Sequence, residues 1–364
     1  MSRRKFLHGT AISMAAVATS GAVKAQSAGV DTVTWRMPSS FPKSLDTVWG
    51  NAVMIAERVR KLTDNKFDIK TFAAGEIVAP LQVLDAVQSG ATECGHTAGF
   101  YYLGKEPSLV FDTGVPFGLT PRQHNAWLLY GGGLELLREV YAKFGVVQFA
   151  SGNTGAQMGG WFRKEIKSVD DLKGLRIRTP GFLGMVYSKL GATPTQIAGG
   201  DIYPALEKGT IDAVEWVGPY DDEKLGFAKI AKFYYGPGVM ELNASLCFIV
   251  NAAAYAKLPQ PFKEALQSAC AEASADMLAK YDANNILALR KLLASGVKLS
   301  TWPDAVMKAM QKATGEVIAE QSAKDATFAK VYKQWDVFRK DQQLWSAIND
   351  GAAEKFIAAN LPKT

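Results

Sequence analysis

Thr32-Val33-Thr34-Trp35-Arg36-Met37 alternates apolar and polar side chains and stops at Pro38. That is the pattern of a half-buried strand. From Asp46 the period changes. Val48, Trp49, Ala52, Val53, Ala56, Val59 and Leu62 recur three and four residues apart, which predicts a helix with one apolar face. Residues 67–72 alternate again, and a shorter helical pattern over 81–89 runs into Gly90, a residue suited to a left-handed helix end. Strand, helix, strand, helix in this order predicts an α/β fold with mainly parallel pairing.

Working outward, residues 146–150, 158–163 and 175–178 read as further strands. Ser168-Val169-Asp170-Asp171 reads as a capped helix start, and residues 245–250 as an apolar strand returning to the first half. Asp85-Ala86-Val87-Gln88-Ser89-Gly90-Ala91-Thr92-Glu93 resembles Pro204-Ala205-Leu206-Glu207-Lys208-Gly209-Thr210-Ile211-Asp212, which suggests two lobes of like construction. The expected division is lobe I over 26–152, lobe II over 153–241, a return to lobe I over 242–300, and a long C-terminal helical segment over 301–350. Two crossovers would form a hinge, and a cleft at the carboxyl ends of strands is where such folds bind ligands. Thr301-Trp302-Pro303-Asp304 opens the C-terminal segment, with Thr301 or Trp302 as cap. Phe328, Val331, Trp335, Phe338 and Trp345 lie along it at a three–four spacing. That stripe either packs on the chain's own core or pairs with another subunit.

The first 25 residues read as an address. Ser2-Arg3-Arg4-Lys5-Phe6-Leu7 is a positive start with adjacent arginines, residues 9–22 are modestly apolar, and Val23-Lys24-Ala25 fits a cleavage site. The expectation is twin-arginine export to the periplasm. Arg3, Arg4, Lys5 and Lys24 carry four of the net +6 charges, leaving +2 on residues 26–364. A body so nearly neutral, without a basic run, argues against nucleic acid as a partner. Hydrophobic residues make up 48% of the 364 and charged residues 21%, an ordinary globular balance, with no run of ~20 apolar residues to span a membrane. Cys94, Cys247 and Cys270 are few and scattered, and read as small buried apolar groups.

Motifs of catalysis are missing. There is no G-x-S-x-G, H-E-x-x-H, C-x-x-C or phosphate-binding glycine loop, and His96 and His124 stand alone in the body of the chain. Polar chemistry gathers instead in three places. Asn153 and Gln157 lie in a glycine-rich run ending at Trp161. Arg178 closes a strand before Pro180-Gly181, where a guanidinium can grip a carboxylate with two parallel bonds. Glu215 and Trp216 precede Gly218-Pro219-Tyr220. Tyr101, Tyr102, Trp216, Tyr220 and Phe182 are candidate aromatic walls. A Tyr hydroxyl could donate to a ligand oxygen.

These segments resemble the substrate-binding proteins of tripartite ATP-independent periplasmic (TRAP) transporters, the DctP-type family. The resemblance rests on Ser39-Ser40-Phe41-Pro42, Phe72-Ala73-Ala74-Gly75-Glu76, residues 170–178 around Arg176-Ile177-Arg178, residues 199–212 around Pro204-Ala205-Leu206-Glu207-Lys208-Gly209, and Glu215-Trp216-Val217-Gly218-Pro219-Tyr220-Asp221-Asp222. It implies a two-lobed periplasmic binding protein fold, no enzymatic activity, and delivery of a small organic acid anion to TRAP membrane permease subunits. Within the family the chain is most similar to the branch binding 2-oxo acids such as pyruvate, or 2-hydroxy acids such as lactate, with a metal ion. Arg178 is then the carboxylate clamp, with Asn153, Gln157, Trp216, Tyr101, Tyr102 and Tyr220 around the ligand. Gln157, Glu215 and the Trp216 carbonyl hold the ion, with Glu241 a further ligand. Sodium is the expected ion and calcium the alternative. The branch also implies a homodimer through the C-terminal helix. The residue chemistry agrees: a ligand carboxylate is balanced by Arg178, but Glu215 adds a second anion to a dry cleft, and a hard cation bound by oxygens removes the conflict. The competing readings are an exported enzyme using Glu215 as base on a 2-oxo acid, and a binding protein feeding a sensor kinase. Gly238-Val239-Met240-Glu241-Leu242-Asn243 departs from the aromatic-rich version expected of 2-oxo acid binders, which leaves the acid open.

Overall fold

The computed structural model describes residues 32–238 and 241–361; the export signal expected over 1–25 lies outside them. Eleven strands are described: β1 (Val33–Pro38), β2 (Phe67–Phe72), β3 (Cys94–Thr97), β4 (Val146–Asn153), β5 (Gly160–Phe162), β6 (Arg176–Arg178), β7 (Thr193–Thr195), β8 (Ala213–Val214), β9 (Phe233–Gly236), β10 (Ser245–Asn251) and β11 (Lys298–Thr301). They form a parallel pair β1-β2, a three-stranded sheet β3-β10-β4 and a six-stranded sheet β11-β9-β5-β8-β6-β7. The first two belong to one lobe and the third to the other. β10 stands in the three-stranded sheet and β11 in the six-stranded one.

The sequence pattern leads to parallel pairing, and β1-β2, β6-β7, β6-β8 and β9-β11 are parallel. The expectation fails for the strands that carry the chain between lobes. β10 runs antiparallel to β3 and β4, and β5 antiparallel to β8 and β9. A strand that enters a sheet from its neighbour lobe has no crossover helix to turn it round, so it pairs against the run of the others.

The longest helix, Gln260–Ala294, spans 35 residues and was not singled out in the sequence. Its apolar residues bury against both lobes, so no single stripe marks it. Met277 packs at Gly152 of β4, and Tyr281 hydrogen-bonds Asp221 of the second lobe. The C-terminal segment is not one helix. Asp304–Lys324, Ala326–Ile348 and Asp350–Ala359 follow in turn. Asp325 makes the first break: its extended backbone ends one helix, and its side chain accepts from the Phe328 N–H to cap the next. The cap expected at Thr301 or Trp302 falls at Pro303 instead, because Thr301 ends β11. Phe328, Val331 and Trp335 are buried on the chain's own core, with Phe328 stacked on Phe182 and close to Phe111.

The two histidines of the described residues are structural. Asn51 donates to Ser151 O and Ala273 O, so its Oδ1 accepts from His96 Nε2 at 2.8 Å, and His96 Nδ1 accepts from Ser39. Burial lowers the His96 pKa to about 3, which keeps the ring neutral. His124 is likewise lowered by burial, to about 4. The three cysteines are buried and unbridged. No helix of the described residues is long and apolar enough to cross a membrane.

Candidate functional site

Arg178 is the last residue of β6, and Glu215 follows directly on β8, the parallel neighbour. The Glu215 N–H donates to Arg178 O at 2.9 Å, so the two charged side chains leave the carboxyl ends of adjacent strands together. Each is almost wholly buried, 1% and 2% exposed. The Arg178 guanidinium is held on three sides. Nε donates to Ile197 O at 3.1 Å, Nη1 donates to Glu215 O at 2.6 Å, and the plane lies over the Trp216 ring at 4.8 Å. Its Nη2 has no partner. A buried guanidinium nitrogen left without an acceptor is costly, and it marks where an anion would be gripped. Trp216 takes its place because Gly199 faces the indole: a Cβ there would come within 2.6 Å of the ring.

Gln157 comes from the first crossover, between β4 and β5, and Glu241 from the second, between β9 and β10. The crossovers are tied together, Thr154 N to Ala244 O at 3.0 Å, Gln157 N to Glu241 O at 3.2 Å and Gly238 N to Gln157 O at 2.9 Å. Gly238 permits this approach, since a Cβ would stand 2.2 Å from the Gln157 carbonyl oxygen.

One end of the Gln157 amide lies 2.8 Å from Glu215 Oε1, 2.9 Å from Trp216 O and 3.0 Å from Glu241 Oε2. The other end lies 3.1 Å from the Thr154 hydroxyl. An amide nitrogen carries two hydrogens and cannot serve three acceptors. Thr154 argues further. Its oxygen accepts from Ala244 N–H and its hydrogen goes to Gly155 O at 2.9 Å, so it is ready to accept from Gln157 rather than donate to it. The amide nitrogen then faces Thr154, and four oxygens converge: Gln157 Oε1, Glu215 Oε1, Trp216 O and Glu241 Oε2. Among the described residues no three His, Cys, Asp or Glu side chains come together; this cluster has two carboxylates, completed by an amide and a carbonyl.

Burial pushes the Glu215 carboxyl well above its ordinary range. Glu241 beside it adds to the shift and Arg178 opposes it. Burial likewise raises Glu241, to about 8, against the pull of Arg178. Arg178 Nη1 is 4.0 Å from Glu215 Oε2, too far for a hydrogen bond, and that oxygen has no partner. One arginine does not balance two buried carboxylates.

Phe41, Val48, Phe100, Tyr101, Pro180 and Leu246 close the chamber around Arg178, Gln157 and Trp216, leaving about 20 Å³ open to the centre of a water molecule. Tyr101 puts its hydroxyl beside Arg178, with burial raising it to about 12. The other candidates stand elsewhere. Tyr102 turns into the first lobe's core, its hydroxyl bonded to Thr97 and to the Leu84 N–H. Asn153 braces the crossovers through Asn243 and the Gly155 N–H. Tyr220 sits at the outer edge, donating to Asp46 at 3.1 Å. Phe182 is buried against Phe328. The sequence reading missed Phe41, Val48, Phe100, Pro180, Ala244 and Leu246 as walls. Phe41 and Pro180 lay in quoted motifs; the others look like core residues in any α/β chain.

Residues 39–325 match the DctP family, described as bacterial extracellular solute-binding protein, family 7. The chain belongs to that family. It is a solute-binding protein of the TRAP type, periplasmic and not an enzyme. It is 49% identical to the monocarboxylate 2-oxoacid-binding periplasmic protein of Nostoc sp. (strain PCC 7120), over 99% of this chain and 100% of that one. Among solved structures it is similar to a TRAP transporter solute-binding protein from Bordetella bronchiseptica (52% identity, TM-score 0.89, 91% of this chain and 98% of that one), a mixed-occupancy dimer with calcium and picolinate in one site and the other site empty. A TRAP solute-binding protein from Pseudoalteromonas atlantica holds sodium and pyruvate (39%, TM-score 0.86, covering 89% and 99%). One from Colwellia psychrerythraea holds calcium and pyruvate (37%, TM-score 0.86, covering 89% and 99%). These likenesses carry the two-lobed α/β fold expected from the sequence.

Proposed function

We propose that this solute-binding protein closes on a small 2-oxo monocarboxylate of the pyruvate kind, together with a cation, and delivers it to TRAP permease subunits. The observation that carries the reading is the pairing of an unpartnered, buried Arg178 Nη2 with the four-oxygen cluster beside it. The residues fit a cation on this structure's own terms: Glu215 Oε2 is buried without a partner, and the donors are hard oxygens of the kind that bind sodium or calcium. Gln157, Glu215, Trp216 O and Glu241 would hold the ion. Its charge would offset the carboxylates and draw the acid's oxygens to the same place.

The division of labour follows from the geometry. Arg178, locked by Ile197 O, Glu215 O and the Trp216 ring, presents a fixed donor to the acid's carboxylate. Tyr101 offers a hydroxyl beside it. The apolar walls restrict the guest to a few atoms and exclude water, which strengthens each polar contact. Gln157 and Glu241 sit on the two crossovers while Glu215 and Trp216 belong to the second lobe. A ligand that draws them together therefore favours one hinge position, and closure is population shift toward that state. The same reading includes a homodimer, supported by exposed Leu344, Trp345, Ile348, Phe356 and Ile357 on the C-terminal helices.

The test is calorimetric titration of ligand-stripped protein with pyruvate, in choline buffer after chelation and again with sodium or calcium restored. One-to-one binding that requires an ion, and that falls about a hundredfold or more in Arg178→Lys, is the expected result. Lysine keeps the charge but not the planar fork. Equal binding with and without ions would overturn the cation, and undiminished binding by Arg178→Lys would overturn the clamp.

A further inference from the structure

The polar end of the guest is claimed by one side of the chamber. Arg178, Glu215 and Trp216 belong to the second lobe, and Gln157 and Glu241 to the crossovers. The first lobe and its returning strand β10 bring no charged side chain to the lining. Phe41, Val48, Ala98, Phe100 and Leu246 face the guest from there. An acid gripped by its carboxylate and oxo oxygen therefore points its alkyl tail at the first lobe. This step rests on the 2-oxo acid reading above.

Among those walls Leu246 is placed by an irregularity of the sheet. Leu246 stands opposite Gly152 and Cys247 opposite Ala150, so β4 carries one extra residue, Ser151, at this step. The bulge is held in place. Asn51 donates to Ser151 O at 2.8 Å, and the Ser151 hydroxyl lies 3.4 Å from Leu246 O. Gly152 lets the strand pass, because a Cβ there would stand 2.7 Å from Met277 Sδ and 3.3 Å from Asn51. In an even strand Leu246 and Phe248 would share a face. Here Phe248 packs on Phe149, ring centroids 6.4 Å apart, and neither ring lines the chamber, whereas Leu246 does. An extra residue raises the local twist and re-aims side chains beside a binding site. Leu246 is 2% exposed, and the chamber it closes leaves about 20 Å³ open, so added methylenes meet a packed wall. We infer that Leu246 is the end stop for the acid's tail. The bulge aims it, and its isobutyl group admits tails of one or two carbons. This chain takes the shortest 2-oxo acids and rejects straight-chain acids from five carbons up.

The test is calorimetric titration of the full-length mature protein, in saturating sodium or calcium, with pyruvate, 2-oxobutyrate and 2-oxovalerate. These acids grow by one methylene at a time. In the unaltered protein 2-oxovalerate should bind about thirtyfold or more weaker than pyruvate. Burying a methylene is worth about fourfold in affinity. Leu246→Ala makes room for the two extra methylenes and should bring 2-oxovalerate level with pyruvate or above it. Leu246→Val is the milder change and guards against loss of folding; it should relieve 2-oxobutyrate and leave 2-oxovalerate excluded. An unaltered protein that binds the three acids within about threefold of one another would overturn the end stop. So would variants that weaken all three acids by one common factor. Failure of the 2-oxo acid reading has a different signature: none of the three acids binds the unaltered protein, and the end stop falls with that reading.

Discussion

Thr47 donates its hydroxyl to Asp221 Oδ1 at 2.5 Å, across the line where the two lobes meet. Thr47 stands at the start of the Val48–Leu62 helix in the first lobe, and Asp221 lies in the Pro219–Leu225 helix of the second. Tyr281 of the longest helix donates to the other Asp221 oxygen at 2.7 Å. Next to this pair Asp46 meets Lys224 and Lys280, and accepts from Tyr220. Burial pushes the Asp46 carboxyl up, but the two lysines outweigh it and hold it below the usual range. The lobes are therefore latched beside the chamber as well as through it. Thr47→Val removes one donor from a buried carboxylate only when the lobes are closed. Pyruvate affinity should fall about tenfold, or about 1.4 kcal/mol, chiefly through faster release. Stopped-flow dissociation of the acid checks this; an unchanged release rate would show that the contact does not hold the closed form.

The lobes also touch through glycine. Gly181 adopts φ +49°, and a Cβ there would stand 2.9 Å from Phe100 Cβ and 3.0 Å from Phe100 O. Gln196 spans the same gap, accepting from Gly181 N–H and donating to Tyr101 O. Gly181→Ala adds one carbon between lobes and strains the backbone. Closure should be incomplete, with pyruvate affinity down at least tenfold and scattering profiles of the loaded protein remaining as expanded as those of the unloaded one. A variant that compacts fully on loading would contradict the contact's role.

How much of this was legible beforehand depends on whether the signal was local. Arg178 could be named because a strand end before Pro180-Gly181 is a local pattern, and Glu215-Trp216 before Gly218-Pro219 is another. The Val48–Leu62 helix follows from its own spacing. The Gln260–Ala294 helix does not, because both lobes pack on it and its apolar residues are spread round the axis. Tyr102 was misplaced for a related reason. Tyr101 and Tyr102 are adjacent in a short turn of 3₁₀ helix, and only tertiary packing decides that one faces Arg178 and the other Thr97. Glu241 reached the site through a crossover whose course depends on Gly238 meeting Gln157, a contact 81 residues apart in sequence that no local pattern records.

Asp222 gives the protein a pH dependence of its own. It accepts from Trp161 Nε1 at 2.9 Å and Tyr234 at 2.7 Å, both through Oδ2. Burial nonetheless pushes it up to about 7, with Asp221 adding to the shift. The folded state thus keeps a proton that the unfolded chain releases near pH 4. The stabilisation is fully present below that value and is lost as pH rises through about 7, at a slope approaching about 1.4 kcal/mol per pH unit. Asp222→Asn cannot titrate. The stability of the unaltered protein relative to this variant should decline between about pH 4 and 7 and stay level on either side, as read by urea unfolding at a series of pH values. A difference that is flat across that window would mean Asp222 is ionised in the folded protein.

The C-terminal helices carry apolar residues both on a buried face and on an exposed one. Phe328, Val331 and Trp335 face inward, whereas Leu344, Ile348 and Phe356 are 68%, 69% and 71% exposed. The inward group lies on the first half of Ala326–Ile348, and the outward group begins where that helix runs past the core. Such a row of large apolar side chains is unfavourable in water unless it is covered. A second copy of the chain is the reading supported here, since each copy would offer the same stripe to the other. Leu344→Glu with Ile348→Glu places like charges on that seam and should shift the protein to monomer in sedimentation velocity at micromolar concentration. Pyruvate binding should stay within about threefold, because neither residue lines the chamber. An unaltered protein that sediments as a monomer at the same concentration would remove the case for this dimer.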